Sequence, residues 1–284
     1  MPIVSLREVL SDAQKERYAV PSFNVVTLEM IDGVFRAAEE FRSPVIIGLA
    51  ARHIGQVDPW LIAGAVQKRA ARSNVPVVFH LDHAESLESV RLGVEIGCNS
   101  LMIDGSKLSI EENTLLTRNA VAFAHSKGVD VEAELGAVGG TEGEIEGGEC
   151  AKDYTDPDQA QQFAQETQID ALAVAIGTVH GLYRSAPNLQ FDILKTIAEK
   201  TDAPLVLHGG TGLSQADFVR LIELGITKIN IFTELAVRCA ERLRENLSRR
   251  EAPASVVDAV MGVPQSLALV AADLMQTFRS CGRA

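Results

Sequence analysis

The sequence predicts an α/β protein with the (β/α)8 fold, the TIM barrel, followed by extra helices at its C-terminal end. Eight short apolar runs rich in β-branched residues recur along the 284 residues. Longer segments, several of them with helical periodicity, separate these runs. Each run is almost continuously hydrophobic, as expected of parallel strands buried on both faces. Eight strands alternating with helices is the number that closes such a barrel.

The predicted strands follow one another without a Pro/Ser-rich linker or an abrupt change in composition. This continuity indicates one domain over residues 1–284. The alternative, an open doubly wound sheet, lacks a GxGxxG sequence after its first strand. The strands are predicted at 19–25, 44–50, 76–83, 100–106, 130–136, 171–181, 204–210 and 228–234.

The helices are predicted from apolar stripes and from capping residues. Ser5 and Glu8 have the spacing of a capping box for a helix across the bottom of the barrel. Asp156 followed by Pro157 is a cap with proline in the first turn. Amphipathic periodicity predicts helices over 28–42, 111–127, 157–167 and 214–224, and again after residue 235, where Pro253 and Pro264 interrupt it.

Charge and composition exclude several classes of function. The 26 Lys and Arg against 38 Asp and Glu leave a formal charge of −12, which argues against nucleic acid or an anionic membrane as a partner. A phosphorylated substrate is compatible if the site supplies its own positive charge. Four scattered cysteines without CxxC spacing and a charged N-terminal segment favour a cytoplasmic protein with free thiols. No apolar run reaches the roughly 18 residues of a membrane span.

Histidines lie at the C-terminal ends of the predicted strands, which form the active face of such a barrel. His83, His180 and His208 end strands three, six and seven. Histidines that converge from separate strands are a common way to build a catalytic zinc site with an open position. Three hydrogen-bonded histidines without a metal would give the same pattern. His80 is expected to pack within the barrel.

Carboxylates and amides share this rim. Asp82 is predicted to act as a general acid beside the metal, or alternatively to orient a ligand histidine. Asp104 and Glu134 could reach a second or displaced metal position, or could simply hydrogen-bond within the rim. Asn24 and Asn230 also lie late in their strands. The rim therefore offers groups for metal binding and for proton transfer.

Two loops are predicted to bind phosphate and a third to act as a lid. The segments 208–212 (HGGTG) and 230–233 (NIFT) each lead into a helix after strands seven and eight, the usual phosphate site of these barrels. The Gly- and Glu-rich loop 136–149 leaves the rim directly after Glu134. It is predicted to be a mobile lid with Glu142 as an acid/base, a flexible spacer being the alternative.

A zinc ion beside a phosphate site suits a phosphorylated carbonyl substrate. A carboxylate could remove the proton next to the polarised carbonyl and leave a metal-stabilised enediolate. That nucleophile would add to an aldehyde, or arise in reverse by carbon–carbon cleavage. A lysine Schiff base is the metal-free alternative. Lys228 is placed at the inert face and only Lys107 lies just beyond an active-face end, so the metal route is favoured.

Six strand ends together resemble the zinc-dependent class II ketose-bisphosphate aldolases, over about residues 3 to 247, and most nearly the tagatose-bisphosphate aldolases. The resemblance implies a (β/α)8 barrel, usually a homodimer or homotetramer. Such enzymes cleave a ketose 1,6-bisphosphate to dihydroxyacetone phosphate and an aldehyde such as glyceraldehyde 3-phosphate. The matching runs are HLDH (80–83), SLMIDGS (100–106), VEAELG (131–136) with GG at 139–140, AVAIGTVHG (173–181), PLVLHGGTG (204–212) and KINIFTE (228–234).

By position, the resemblance implies a role for each site residue. The three strand-end histidines would bind zinc, Asp82 would donate a proton to the aldehyde oxygen, and Glu142 would be the lid glutamate that abstracts a proton. Asp104 and Glu134 would hold the alternative metal position. A monovalent cation, Na⁺ or K⁺, near the phosphate is also implied. The substrate contacts, with Asn24 expected beside them, would be Gly181, Gly209, Gly210, Thr211, Asn230, Ile231, Phe232 and Thr233.

The departures from the family pattern concern the aldehyde half of the substrate. Relatives that act on fructose bisphosphate usually have NxDTD at the end of strand eight, where this chain has NIFTE with the bulky Phe232. Strand two ends in Ala50, where relatives often offer a hydroxyl. No Lys or Arg lies within 252–278, which leaves Arg52, Arg184, Arg279 and Arg283 as candidates for binding a second phosphate.

The resemblance favours tagatose 1,6-bisphosphate as the substrate, and these departures concern its aldehyde half. Fructose bisphosphate and another singly phosphorylated ketose are the alternatives. A metal-dependent hydrolase on the same barrel would have a paired HxH on strand one, which is absent from 19–25 (AVPSFNV). A non-catalytic sugar-phosphate-binding protein would not need the three histidines together with Asp82.

Overall fold

In a computed structural model, which describes residues 3–140, 142, 144–147, 153–183, 187–249 and 254–284, the strands form one closed parallel barrel in chain order. The last strand pairs with the first, with Ser22 opposite Asn230. The predicted (β/α)8 barrel is confirmed. The strands are β1 (Val20–Asn24), β2 (Val45–Ala50), β3 (Val77–Ala84), β4 (Ser100–Ile103), β5 (Asp130–Leu135), β6 (Ala171–Val174), β7 (Leu205–Leu207) and β8 (Ile226–Ile231).

A helix precedes the first strand, others cover the outside of the barrel, and a short 3₁₀ helix, Ala51–His53, follows β2. Most begin at a Ser, Thr or Asp cap, as the sequence predicts. The helices are α1 (Leu6–Glu16), α2 (Leu28–Phe41), α3 (Pro59–Ala70), α4 (Leu87–Glu95), α5 (Ile110–His125), α6 (Pro157–Thr167), α7 (Phe191–Lys200), α8 (Gln215–Glu223), α9 (Thr233–Ser248), α10 (Val256–Val260) and α11 (Val263–Thr277).

The alternation of side chains along each strand divides the core into two layers. Residues such as Phe23 and Phe79 point outward and pack against the helices, whereas Ile46 and Val78 point into the barrel. Leu10 of α1 packs against this inner layer, so α1 closes the bottom of the barrel as predicted. The active groups are thereby confined to the opposite, C-terminal mouth.

Several strand boundaries differ from the predicted ones, most of all the end of β6. β6 ends at Val174, because the chain turns away before Gly177, which has φ 99°. His180 therefore lies in the loop after β6 and not at its end. β7 spans Leu205–Leu207, so His208 directly follows it, and β8 begins at Ile226, two residues earlier than predicted.

The C-terminal helices α9, α10 and α11 complete the outer layer, as predicted. The segment Val256–Thr277 is long and apolar enough to span a membrane by length and composition alone, with 28% of it buried in this fold. That test is weak, because a helix that packs in a core passes it as well. Here Leu267 and Met275 of α11 are fully buried in the outer core layer beside α2.

The contact between α2 and α11 depends on Gly33. A Cβ added at Gly33 would lie 2.8 Å from Leu267 Cβ and 2.9 Å from the Pro264 carbonyl oxygen. We expect Gly33→Ala to lower the free energy of unfolding by about 1–3 kcal/mol, as overpacking of a core does. Urea denaturation would measure the change.

Gly64→Ala is the matched control, because Gly64 is an exposed position inside α3 with no atom within 4 Å of the added Cβ. Alanine there should raise the free energy of unfolding by about 0.5–1 kcal/mol through helix propensity. Equal effects of the two substitutions would show that α2 does not pack closely on α11.

Candidate active site

The C-terminal ends of the strands surround a cavity of about 400 Å³ that contains most of the predicted catalytic groups. His83 comes from β3, Asp104 follows β4, Glu134 comes from β5, and His180 follows β6. Glu142 reaches the same cavity from the predicted lid. Side chains from separate strand ends thus converge at one mouth, as in other enzymes with this barrel.

His83 and His180 line this cavity, and the fully buried His208 lies beside them. The Nε2 atom of His83 lies 3.1 Å from Nδ1 of His208, and the ring of His180 is 5.1 Å from that of His83 and 5.8 Å from that of His208. One ring nitrogen from each lies within 4.8 Å of the others. Three convergent imidazoles with an open side match the ligand set of a catalytic zinc ion. These residues fit a divalent transition metal.

A left-handed residue allows two neighbours on β3 to share the site. His83 has φ 50°, a conformation that costs a non-glycine residue about 1–2 kcal/mol. The pairing of β3 with β4 changes register here, between Leu81 and Ala84. Adjacent side chains of a regular strand point in opposite directions. The turn at His83 instead brings both Asp82 and His83 to the mouth.

Asp104 and Glu134 lie beside His83 and form a second group whose ligand atoms are within 4.8 Å of one another. Asp104 Oδ2 is 2.8 Å from Nδ1 of His83. Burial alone would lower the pKa of His83, but Asp82 and Asp104 outweigh it and raise that pKa to about 10. Burial, together with the charge of Asp104, raises the pKa of Glu134 to about 8. Glu134 is therefore protonated at neutral pH in this metal-free form.

Asp82 lies at the centre of a buried amide network. Asn24 Nδ2 donates to its Oδ2 at 2.6 Å, and Asn230 Nδ2 donates to its Oδ1 at 3.0 Å. Burial opposes ionisation of Asp82, but the neighbouring His83 and the imidazole of His80, whose Nε2 lies 3.6 Å from Asp82 Oδ1, hold its pKa well below the usual range. His80 packs inside the barrel as predicted and contacts Ser100 Oγ at 2.8 Å.

Glu142 turns from the predicted lid into the cavity. Its Oε1 accepts a hydrogen bond from Asn24 Nδ2 at 2.8 Å, and its Oε2 lies 2.7 Å from Nδ1 of His180. Burial opposes its ionisation, but the bond with His180 outweighs it and lowers the pKa of Glu142 to about 2. Arg52 Nη1 donates to the backbone carbonyl of Glu142 at 2.7 Å, and Nη2 pairs with Glu144 at 3.2 Å. Sequence reasoning did not identify this contact of Arg52 with the lid segment.

A second polar layer lies below the catalytic groups and was missed by the sequence reasoning. Lys228 was placed at the inert face, but its side chain enters the barrel interior, because β8 begins at Ile226 and Lys228 points the same way as Asn230. Its Nζ lies 2.7 Å from Glu132 Oε2. Oε1 of Glu132 lies 2.9 Å from Nε2 of His208. Glu132 therefore contacts a metal-ligand candidate directly, and Lys228 is connected to that histidine through Glu132.

The two predicted phosphate loops differ in how their helices begin. Ser214 and Asp217 form a capping box that occupies the N-terminus of α8. α9 begins at Thr233 without a side-chain cap among the described hydrogen bonds. Backbone N–H groups at an uncapped helix N-terminus attract anions. The loop 230–233 is therefore the better supported phosphate contact of the two.

The glycine-rich loop after β7 passes very close to other backbone. A Cβ at Gly209, where φ is 69°, would lie 2.4 Å from the Val179 carbonyl oxygen. Gly210 and the buried Thr211 follow it along the mouth. Gly181, with φ 80°, packs against the lid, since its added Cβ would lie 2.9 Å from the Ile145 carbonyl oxygen. Gly181, predicted to contact the substrate, therefore lies against the backbone of the lid segment.

Two predicted substrate contacts point elsewhere or are covered. Ile231 faces outward into the core between strands and helices, so only its backbone can reach a ligand. Phe232 is 7% exposed and lies against His53, with the ring centroids 4.9 Å apart. Thr233 Oγ1 is 3.5 Å from the Glu144 carbonyl oxygen. Phe232, the bulky residue of the NIFTE sequence, thus places an aromatic ring beside the mouth of the barrel.

Two of the four candidate arginines for a second phosphate lie away from the mouth. Arg279 pairs with Glu223 of α8 at 2.9 Å, and Arg283 pairs with Glu16 of α1, both at the bottom of the barrel. Arg52 lines the cavity, whereas Arg184 is outside the described residues. Lys107 also lines the cavity, where it pairs with Glu85 at 2.9 Å.

The chain resembles known aldolases over nearly its whole length. It matches the family described as fructose-bisphosphate aldolase class-II over residues 4–283. A relative from Bacillus subtilis (strain 168) named "Probable fructose-bisphosphate aldolase" is 42% identical over 253 residues, covering 88% of each chain. YdjI of Escherichia coli (strain K12) is 43% identical over 244 residues, covering 86% of this chain and 87% of YdjI.

A solved structure agrees with these sequence matches. The crystal structure of the YdjI aldolase from Escherichia coli K12 superposes with a TM-score of 0.88 at 37% identity, over 99% of both chains. Barrel, site geometry and relatives therefore lead to the same assignment. The chain belongs to the class II fructose-bisphosphate aldolase family and is a carbon–carbon lyase.

Proposed function

We propose that the protein is a zinc-dependent aldolase that cleaves a ketose 1-phosphate or 1,6-bisphosphate into dihydroxyacetone phosphate and an aldehyde, and catalyses the reverse condensation. The convergence of three histidine nitrogens within 4.8 Å of one another carries this proposal. Bound to His83, His180 and His208, the metal would polarise the substrate carbonyl as a Lewis acid. Asp104 and Glu134 would provide the alternative metal position.

Asp82 and Glu142 would divide the two proton transfers between them. In cleavage, ionised Asp82 would accept the proton of the C4 hydroxyl while the C3–C4 bond breaks and its electron pair stays on C3. The acid form of Glu142 would then deliver a proton to C3, which completes dihydroxyacetone phosphate. In condensation, ionised Glu142 removes a proton from that carbon of dihydroxyacetone phosphate, and Asp82 returns its proton to the aldehyde oxygen. Asn24 donates a hydrogen bond to both carboxylates, which supports their acting on one substrate.

The phosphate of dihydroxyacetone phosphate would bind between the loops after β7 and β8. The uncapped N-terminus of α9 and the backbone of 209–211 support this assignment. A monovalent cation beside this phosphate stays a prediction. Zinc and backbone N–H groups would supply the local positive charge that a protein of net charge −12 needs to hold an anion.

The aldehyde half distinguishes the candidate substrates. Tagatose 1,6-bisphosphate is the first candidate, because Phe232 departs from the pattern of relatives that act on fructose bisphosphate. Fructose bisphosphate is the second, since the Bacillus subtilis relative is named for it. A singly phosphorylated ketose is the third, because Arg52 and Lys107, the basic residues that line the described cavity, are both ion-paired.

The remaining expectations concern the protein in its cell. The ligand is proposed to be a small phosphorylated sugar, with no nucleic-acid or membrane partner. We expect a homodimer or homotetramer in the cytoplasm, as the family resemblance implies.

Removal of the metal should abolish the first half-reaction. We expect the exchange of a dihydroxyacetone phosphate proton with solvent deuterium to stop in EDTA and to return when zinc is added, since Lewis-acid polarisation is lost and restored. Proton NMR would follow the exchange. If exchange persists in EDTA and borohydride traps a covalent adduct, a Schiff base at Lys107 would be assigned instead. If zinc-loaded protein shows no exchange, the hydrolase or binding alternatives would remain.

The position of Asn24 depends on Gly48 of β2. A Cβ added at Gly48 would lie 2.1 Å from Asn24 Oδ1, so Gly48→Ala must move the amide that holds Asp82 and Glu142. We expect kcat to fall about a hundredfold, the scale of effect of an ångström displacement in a catalytic site. Steady-state kinetics would measure it, with zinc content and circular dichroism as checks. Gly64→Ala should leave kcat unchanged, and a Gly48→Ala enzyme with the original kcat would refute the role of Asn24.

Substrate preference should follow the altered strand-eight sequence. We expect kcat/KM for tagatose 1,6-bisphosphate to exceed that for fructose 1,6-bisphosphate by about tenfold or more, the factor that one pocket contact worth about 1–3 kcal/mol supplies. Coupled assays that detect dihydroxyacetone phosphate would compare both with ketose 1-phosphates. A clear preference for fructose bisphosphate would overturn the tagatose assignment, and a ketose 1-phosphate as the best substrate would show that the second phosphate contributes nothing.

A further inference from the structure

Lys228 is a buried cation that the proposed reaction does not use. Its side chain is fully buried inside the barrel, in the layer below the catalytic groups. Burial of an ammonium group is costly unless a partner compensates the charge. The partner is Glu132, also fully buried, whose Oε2 lies 2.7 Å from Lys228 Nζ. The pair lies directly below the three histidines.

Glu132 connects this lysine to the metal-ligand candidates. Its other oxygen, Oε1, lies 2.9 Å from Nε2 of the fully buried His208. A carboxylate can only accept here, so Nε2 of His208 donates its proton to Glu132. Nδ1 of His208 then carries the lone pair and faces His83 Nε2 at 3.1 Å. This is the tautomer in which Nδ1 can bind a metal.

Stability alone does not explain the pair. A buried ion pair is weak evidence for stability, because apolar residues of similar volume often serve as well or better. A carboxylate that orients a ligand histidine, in contrast, raises the basicity of the ligand and fixes its ring. Such a carboxylate can stand in a fully buried layer only if a cation compensates it.

We propose that Lys228 is a positioning residue for the metal site, which compensates Glu132 so that this carboxylate can orient His208 with Nδ1 toward the metal. The inference rests on the proposed zinc site at His83, His180 and His208. It assigns to Lys228 a role in metal affinity and coordination, with no contact to the substrate.

The test uses the double variant Lys228→Met/Glu132→Gln. It leaves no uncompensated charge in the barrel, and the glutamine oxygen can still accept from His208 Nε2. We expect zinc affinity, measured by competition with a chromophoric chelator, to fall about 10- to 100-fold, the usual effect of replacing the partner of a ligand histidine. The visible absorption spectrum of the cobalt-substituted protein should also change. The single variant Lys228→Met should lose at least as much affinity where it folds.

The matched control is Arg7→Met/Asp130→Asn. It removes the ion pairs of Arg7 with Asp130, at 2.8 Å, and with Asp170, at 3.1 Å. Asp130 lies two residues before Glu132 on β5 but at the bottom of the barrel. This control should keep the zinc affinity and cobalt spectrum of the unaltered protein even if its free energy of unfolding falls.

The outcomes separate this inference from the proposed function. If the unaltered protein binds zinc, and the Lys228→Met/Glu132→Gln variant has the same zinc affinity and the same cobalt spectrum, the role of Lys228 is overturned and the proposed metal site stands. Unaltered protein that binds neither zinc nor cobalt would overturn the proposed metal site, and the positioning role with it. An equal loss of affinity in the control would also overturn the inference, because it would reduce the effect to general destabilisation.

Discussion

Compensation of buried charge is the constraint on which the rest of the active mouth depends. Asp82, Glu132 and Glu142 are ionised in a largely buried region, where an isolated carboxylate would be unstable. Lys228 compensates Glu132, and protonated His83 compensates Asp82 and Asp104. Carboxylates still outnumber cations there. A divalent ion at the histidines would correct this excess and would take over the compensation that the proton on His83 provides.

The same constraint explains why amides surround the reacting groups. Asn24 and Asn230 donate hydrogen bonds to Asp82 without adding charge, so they satisfy its oxygens and leave it basic. Asn24 also donates to Glu142, which ties this lid residue to the mouth of the barrel. Arg52 donates to the backbone carbonyl of the same residue. Glu142 is thus held by one neutral donor from β1 and one charged donor from the 3₁₀ helix after β2.

Much of the architecture and part of the site could be predicted from the sequence. Strand number and order follow from apolar runs, and His83 and His208 could be predicted because polar residues at strand ends stand out against those runs. His180 was assigned to a strand end, but a glycine turn ends β6 earlier. Lys228 was missed because its position near the start of a predicted strand suggested the inert face. Side chains alternate along a strand, so Lys228 lies on the same face as Asn230, and this spacing could have located it. Its partner Glu132 could not be predicted in this way, because it lies 96 positions away and meets Lys228 only when the barrel closes.

The two halves of the proposed substrate meet different kinds of surface. In the proposed binding mode, the dihydroxyacetone phosphate half would face backbone N–H groups and the histidines. The aldehyde half would face Phe232, whose ring packs on His53 and cannot accept a hydrogen bond from a sugar hydroxyl as an aspartate would. Discrimination between epimeric substrates at this end would then depend on shape and on Arg52, which also contacts the lid segment. Because Arg52 contacts the lid segment and lines the cavity, an anionic group on the aldehyde would compete with Glu144 for it. Substrate choice and the position of the lid segment would be coupled in this way.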